Sequence, residues 1–308
     1  MSSISITMQE TVTPTTAPVA PNHDDSKGHS LWEDAFRRLL KNKLAVFGAS
    51  FLILEIIIAI ITPWIAPYGY EIQDLERTLT GPSWAHWMGT DSLGRDLFSR
   101  LLYGGRISLM VGFLASMVSM LVGVIYGATA GFLGGRVDNF MMRVVDVLYA
   151  LPFVFLVIIL MVYFGRNIVL LFVALGLTQW LTMARIVRGQ VMSLKQKEFI
   201  EAAESMGITK TAIIFRHLIP NSLGPVIVYL TLTIPSVMLE EAFLSFLGLG
   251  VQAPMASWGT LISGGVDVME VAPGNLLFPA LMLSVTLFSL NFLGDGLRDA
   301  LDPKGAKD

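Results

Sequence analysis

The 308-residue chain has no cysteine, which excludes disulfides, thiolate metal sites and a cysteine nucleophile. Its four histidines, His23, His29, His86 and His217, are scattered without ligand spacing, so no donor cluster points to metal chemistry. Charge is scarce as well. Asp, Glu, Lys and Arg make up 15% of the residues against 54% hydrophobic ones, and the mean hydropathy is +0.65, too little polar material to cover a soluble globule of this length. A net charge of -3 offers no basic face for nucleic acid. The sequence also lacks a GxxxxGK[ST] phosphate loop, so nucleotide chemistry must belong to another chain.

What the chain does have is long apolar runs. A bilayer core about 30 Å thick takes roughly 20 apolar helical residues to cross, and six stretches qualify, near 44–62, 107–133, 140–164, 168–187, 221–246 and 275–294. The expected class is an all-α membrane protein with six transmembrane helices. Gly112, Gly123, Gly127 and Gly131 in the second stretch let a neighbouring helix approach closely, the mark of a packed helix rather than a lipid-facing one. With a cytoplasmic N-terminus, 16 of the 21 Lys and Arg residues fall inside. Arg77, Arg95, Arg100, Arg106 and Arg166 fall outside. The positive-inside bias therefore predicts both termini in the cytoplasm, Pro63 to Tyr103 and Leu249 to Ala272 outside, and Arg188 to Asn221 inside.

Residues 1–30 are rich in Thr, Pro and Ser, and read as a disordered tail. They lack the charged start and apolar core of a signal peptide. Over 31–43, Leu31, Trp32, Phe36, Leu39 and Leu40 recur at helical spacing against Arg37, Arg38, Lys41 and Lys43. That pattern reads as an interfacial helix on the anionic leaflet, or simply as the positive flank of the first span. The remaining expected divisions are a first span at 44–64, an extracytoplasmic loop at 65–104, a core of five spans at 105–296 and a cytoplasmic tail at 297–308.

Between the fourth and fifth spans lies a polar, largely uninterrupted helical segment. Ser193 with Gln196 has capping-box spacing, so a short helix is expected to start there with Phe199, Ile200 and Ala203 on one side. Gly207 suits its end, because glycine accepts the left-handed conformation that closes a helix. Thr209 can cap a second helix through Ile213, Ile214 and Leu218, and Pro220 is expected to stop it and turn the chain into the fifth span. The small side chains of Ala202 and Ala203 would let the first helix seat in a partner's groove.

Several ionisable residues fall within or beside the runs. A charge at the bilayer centre costs roughly 2.5 to 3.5 kcal/mol on insertion scales, so Glu55, Asp146, Glu240 and Glu241 need polar company. Glu55 is expected to hydrogen-bond between helices, Asp146 to pair with Arg143 one turn back, and at least one of the acids to line a pathway. Adjacent Glu240 and Glu241 point about 100° apart on a helix and cannot share a wall. Asp91, Arg95 and Asp96 in GTDSLGRD read as a self-paired turn bent at Gly89 and Gly94, or as a contact surface at the outer mouth. Trp258 is expected to anchor at the membrane interface.

Glu201-Ala202-Ala203, Gly207 four residues on and Pro220 after a further helical stretch resemble the EAA loop of bacterial ATP-driven importers. GTDSLGRD, SRLLYGGRISL, MARIVRGQVMSLKQKEFIEAA, FLSFLGLGVQAPMASWG and NFLGDGLRDALDPK extend the likeness over Leu31 to Lys304. Together they resemble the C-type inner-membrane permease subunit within the dipeptide, oligopeptide and nickel permease family. His217, where such loops usually carry an aliphatic residue, is a variation that fits this family. The resemblance implies a type I ABC importer permease (MetI-like) fold, and a non-catalytic subunit that moves oligopeptides. Dipeptides, nickel or another small solute remain the alternative cargo. It implies as partners a homologous B-type permease, two ATPase subunits and an extracytoplasmic peptide-binding protein. ATP and Mg would be bound by the ATPases, with no cofactor in this chain. Glu201, Ala202, Ala203, Gly207, His217 and Pro220 would form the coupling segment, within 193–221.

Two other classes compete. An ion-coupled secondary transporter would more naturally show internal repeats, and the spans show none. A membrane enzyme would need a nucleophile and base at membrane depth, and no histidine lies in an expected span.

Overall fold

The computed structural model describes residues 31–301; the expected tail at 1–30 and the last seven residues lie outside the described part. Eleven α-helices follow in order: α1 (Leu31–Lys41), α2 (Lys43–Ile65), α3 (Leu97–Leu133), α4 (Gly135–Tyr149), α5 (Phe153–Phe164), α6 (Ile168–Leu194), α7 (Glu198–Ser205), α8 (Lys210–Ile213), α9 (Ile219–Phe246), α10 (Trp258–Val266) and α11 (Gly274–Leu301). Five of the helical stretches are long and apolar enough to cross a membrane, and α4 with α5 makes up to a sixth.

That sixth span differs from the continuous helix expected at 140–164. It is broken between α4 and α5 by an 84° bend. Pro152 at the start of α5 has no N–H to give and restricts the residue before it, so the helix cannot run through. α4 is amphipathic and charged, and its acids find partners on α6. Arg188 clamps Asp138 at 2.5 and 2.6 Å. Arg185 donates to Asp146 at 2.8 Å and stacks on Tyr149 at 4.4 Å. The expected Asp146–Arg143 pair is thus replaced by a cross-helix one.

The centre of the bundle is the crossing of α3 and α6, where glycine removes the space between helices. A Cβ added at Gly123 would stand 2.6 Å from the Met183 Cβ, and one at Gly131 2.8 Å from the Arg188 carbonyl. At Gly127 it would meet the Ala184 carbonyl oxygen itself. Gly176 repeats the device from α6, its absent Cβ 2.6 Å from Val118. Contacts this close are the packing that small residues allow between membrane helices.

Other boundaries shift in the structure. α3 begins at Leu97, well before the expected 105, because Asp96 caps it by accepting from the Ser99 amide at 2.8 Å. The loop at 65–104 accordingly ends early. α1 stops at Lys41, and Asn42 caps α2 through the amides of Leu44 and Ala45, so the helix expected over 31–43 is two residues shorter. α11 continues to Leu301, past the boundary at 297. α10 lies inside the stretch read as a loop, started by a Ser257–Thr260 capping box.

Trp258, expected at the interface, is instead in the core. Its ring nitrogen donates to the Leu101 carbonyl at 3.0 Å and its amide to Ser108 at 2.9 Å, with Gly104 and Gly105 of α3 leaving room for the indole. A buried indole with a satisfied N–H is a packing group. The GTDSLGRD turn is self-paired: Asp91 accepts from the Leu93 and Arg95 amides and from Arg95 Nε at 2.7 Å, while Asp96 also meets His86 Nδ1 at 2.9 Å. Gly94, at φ +69, lies against the Asp74 backbone where a Cβ has no place.

These contacts sort the molecule into two ends. The turn at 89–96, the start of α3, α10 and the start of α11 meet at one, joined by Asn275 donating to the Thr90 carbonyl at 3.2 Å. The end of α3, α4, the end of α6, α7 and α8 meet at the other, where Lys195 donates to the Phe132 carbonyl at 2.7 Å.

Candidate functional site

The segment between α6 and α9 is built from the inside out. Ser193 lies within α6, which runs to Leu194, so the expected Ser193–Gln196 box does not form. α7 starts instead after Lys197, with no side-chain cap. Its end follows expectation. Gly207 sits at φ +74, its amide donates to the Glu204 carbonyl and the Ile208 amide to the Ala203 carbonyl, the paired bonds of a Schellman closure. Thr209 then caps α8, accepting from the Ala212 amide at 3.4 Å.

Past α8 the chain does not turn. Ile214–Leu218 forms a single π-helical turn that feeds directly into α9, so Lys210 to Phe246 runs as one long helix. The Ile219 amide donates to the Ile214 carbonyl five residues back, and Pro220, which has no N–H to give, follows at once, so the widened turn lies where the regular ladder would otherwise be interrupted. The π turn absorbs the proline that was expected to stop the helix.

Each element of the segment has one face turned in. Ile200, Ala203, Ile213, Ile214 and Leu218 join Phe132 of α3 and Val191 of α6 in one apolar cluster. Ala202 and Ala203 therefore separate: Ala202 is exposed, whereas Ala203 is 2% exposed and packs on its own chain, not on a partner's groove. Glu201 and Pro220 lie on the open side and His217 is half-buried.

The open side carries more than polar residues. Met206 is 73% exposed, Phe215 53% and Phe199 42%, with Glu198, Glu201, Glu204 and Arg216 around them. Exposed aromatics, Met and Arg together are the composition of a protein interface. Sequence reasoning passed over Met206 and Phe215. The available signal was apolar residues out of register with Ile200, Ala203, Ile213 and Leu218.

The acids of the spans have distinct surroundings. Glu55 of α2 accepts from Thr286 of α11 at 2.6 Å. Glu241 is 1% exposed and accepts from Ser245 and Ser257 at 2.6 and 2.7 Å, tying α9 to the cap of α10. Glu240, half-buried, accepts from Gln179 of α6 at 2.5 Å, and its second oxygen has no partner among the described residues.

Known proteins are similar to this chain. The profile of the binding-protein-dependent transport system inner membrane component matches residues 119–307, and that of the N-terminal TM domain of oligopeptide transport permease C matches residues 30–82. The chain belongs to the binding-protein-dependent transport system inner membrane components, a multi-pass protein of the bacterial inner membrane. It is similar to the oligopeptide transport system permease protein OppC of Haemophilus influenzae, 52% identical over 282 residues that cover 90% of each chain. It is similar also to the dipeptide transport system permease protein DppC of Bacillus subtilis, 48% identical over 276 residues, 89% of this chain and 86% of that one. Among solved structures, a chain of the MetNI methionine ABC transporter in inward facing conformations superimposes with a TM-score of 0.52 at 18% identity. It covers 66% of this chain and 96% of that one, a likeness of fold.

Proposed function

We propose that this chain is the membrane subunit of an ATP-driven oligopeptide importer, and that the exposed side of Glu198 to Leu218 is the surface through which separate ATPase subunits drive it. The carrying observation is the two-sidedness of that segment. Its inner face is fixed to α3 and α6 by an apolar cluster, while Phe199, Met206 and Phe215 stand open between two spans. Such a surface suits a helix-in-groove contact, and its rigid seating on the bundle would let a push on the segment move α6 and α9 together.

The same reading puts the segment and both termini in the cytoplasm and the turn at 89–96 outside, as the arginine and lysine bias requires. A homologous permease would complete the channel, and an extracytoplasmic binding protein would deliver the peptide. ATP and Mg would stay with the ATPases, leaving this subunit without catalytic chemistry. Glu240, half-buried, is the acid best placed to meet a pathway, since Glu55 and Glu241 are almost fully buried. The names of the relatives support oligopeptides as cargo, with dipeptides as the second reading because a dipeptide permease is nearly as similar.

Single-cysteine labelling tests the orientation directly, because the native chain has no cysteine. A cysteine at Thr80 should react with an impermeant reagent from outside and one at Lys210 only from the cytoplasm. Labelling of position 80 from the cytoplasmic side alone would reverse the topology and remove the segment from the ATPases.

A further inference from the structure

Away from the coupling segment, α2 is packed on α11 at Gly48 and through the Glu55–Thr286 bond, and beside that seam lies an apolar groove of about 870 Å³. Ile56 and Ala59 of α2, Phe113 of α3, Ile234 of α9 and Leu293 of α11 are among its walls. The volume falls within the roughly 300–1,000 Å³ of pockets that hold small organic ligands. Its lining runs along α2 from Ala49 to Trp64, about 22 Å at 1.5 Å per residue. That is longer than one leaflet of a hydrocarbon core about 30 Å thick.

Of the lining residues only Arg106 is ionisable. It lies about two turns along α3 from Ser99 and Arg100, which bond to Tyr68 and Tyr70 just past the end of α2, and it also lines a neighbouring cleft with Tyr70 and Tyr103. Its side chain is exposed and makes no hydrogen bond or ion pair with another described residue. Arg100, Arg185 and Arg188, on the same two helices α3 and α6, all pair with aspartates. A cation left alone at the head of an apolar trough is complementary to one common molecule of its surroundings, an amphiphile with an anionic head. Trp64, largely exposed at the end of α2 and in the same lining, is the residue type favoured at headgroup depth.

We propose that this groove is a phospholipid site, with an acyl chain along α2 and the phosphodiester paired with Arg106. Guanidinium binds phosphate with two parallel N–H donors, which lysine and glutamine do not reproduce. The site would wedge a lipid between α2 and α9, the helix into which the coupling segment runs.

Native mass spectrometry of the assembled transporter, released from nanodiscs of phosphatidylethanolamine and phosphatidylglycerol, reads the retained lipid. Arg106→Gln should lower the phospholipid count by one per complex, and Ala59→Phe, which fills the groove, should do the same. If Ala59→Phe prevents assembly, the Arg106→Gln count decides alone, since an exposed side chain can be neutralised without opening the fold. Cysteines placed singly at Ile56 and Phe113 should react with a phospholipid carrying a thiol-reactive acyl chain. Equal lipid counts in the wild type and Arg106→Gln would overturn the proposal, because the arginine would then only reach toward the headgroups. Crosslinking of Ile56→Cys to another subunit instead of lipid would also overturn it, because the groove would be a protein interface.

Discussion

The crossing of α3 and α6 and the segment from Glu198 to Leu218 are both packed with small and aliphatic residues, yet they use them differently. At the crossing both helices present glycine and alanine to each other, and the partner backbone fills the space where side chains would be. In the segment only one face is filled, by Ile200, Ala203, Ile213 and Leu218, and the other holds Met206 and Phe215 in the open. The first region uses its surface within the chain. The second keeps half of it for something outside, so damage at the two should be separable into loss of folding and loss of coupling.

The largest effect is expected at the crossing. Gly127→Leu would drive a side chain into the Ala184 backbone, and the cost should exceed the roughly 1–3 kcal/mol of ordinary overpacking because the helices themselves must part. Folded permease recovered from membranes should fall to near background. Recovery at wild-type levels and thermal stability would show that α3 and α6 are not held this closely.

Ala203→Arg comes next and sharpens the division within the segment. It would place a long cation in the apolar cluster, which costs several kcal/mol when the charge finds no partner. Limited proteolysis should show cleavage between α6 and α9 that the wild type resists. Intact, protease-resistant protein that had lost only the ATPase would instead put Ala203 on the docking face.

Gly207→Val is a milder probe of the same element. Nothing lies within 4 Å of a Cβ at this glycine, so the whole penalty is conformational, about 1–2 kcal/mol for a left-handed residue. Gly207→Asn should recover part of it, because asparagine tolerates that conformation. Peptide uptake at matched permease levels should rank glycine, asparagine, valine. Equal uptake for all three would mean the closure at the end of α7 is not needed.

The legible parts of this fold were those set by local chemistry. Long apolar runs marked the spans, glycine spacing marked the tight crossing, and Gly207 and Thr209 marked the closure and cap inside the coupling segment. What escaped was set by residues far apart in the chain. Asp146 finds Arg185, 39 positions away, rather than Arg143 on its own helix. Trp258 finds Leu101 and Ser108 across some 150 positions, so an aromatic in a loop became core. The sequence marked Pro220 as a helix stop because the π turn that accommodates it depends on the inward packing of Ile213, Ile214 and Leu218. The same packing decides which of two neighbouring alanines faces out, a distinction invisible in Glu-Ala-Ala itself.

That distinction supplies the most direct test of the coupling surface. Ala202→Arg adds a long cation to the exposed side of α7, beside Glu198 and Glu201, and keeps helix propensity nearly unchanged. With the partner subunits present, the variant permease should reach the membrane at the wild-type level and resist proteolysis, while ATPase co-purification and peptide uptake are lost together. Full uptake with the ATPase still bound would contradict the account, because the open face of Glu198 to Leu218 would then not be where the transporter is driven.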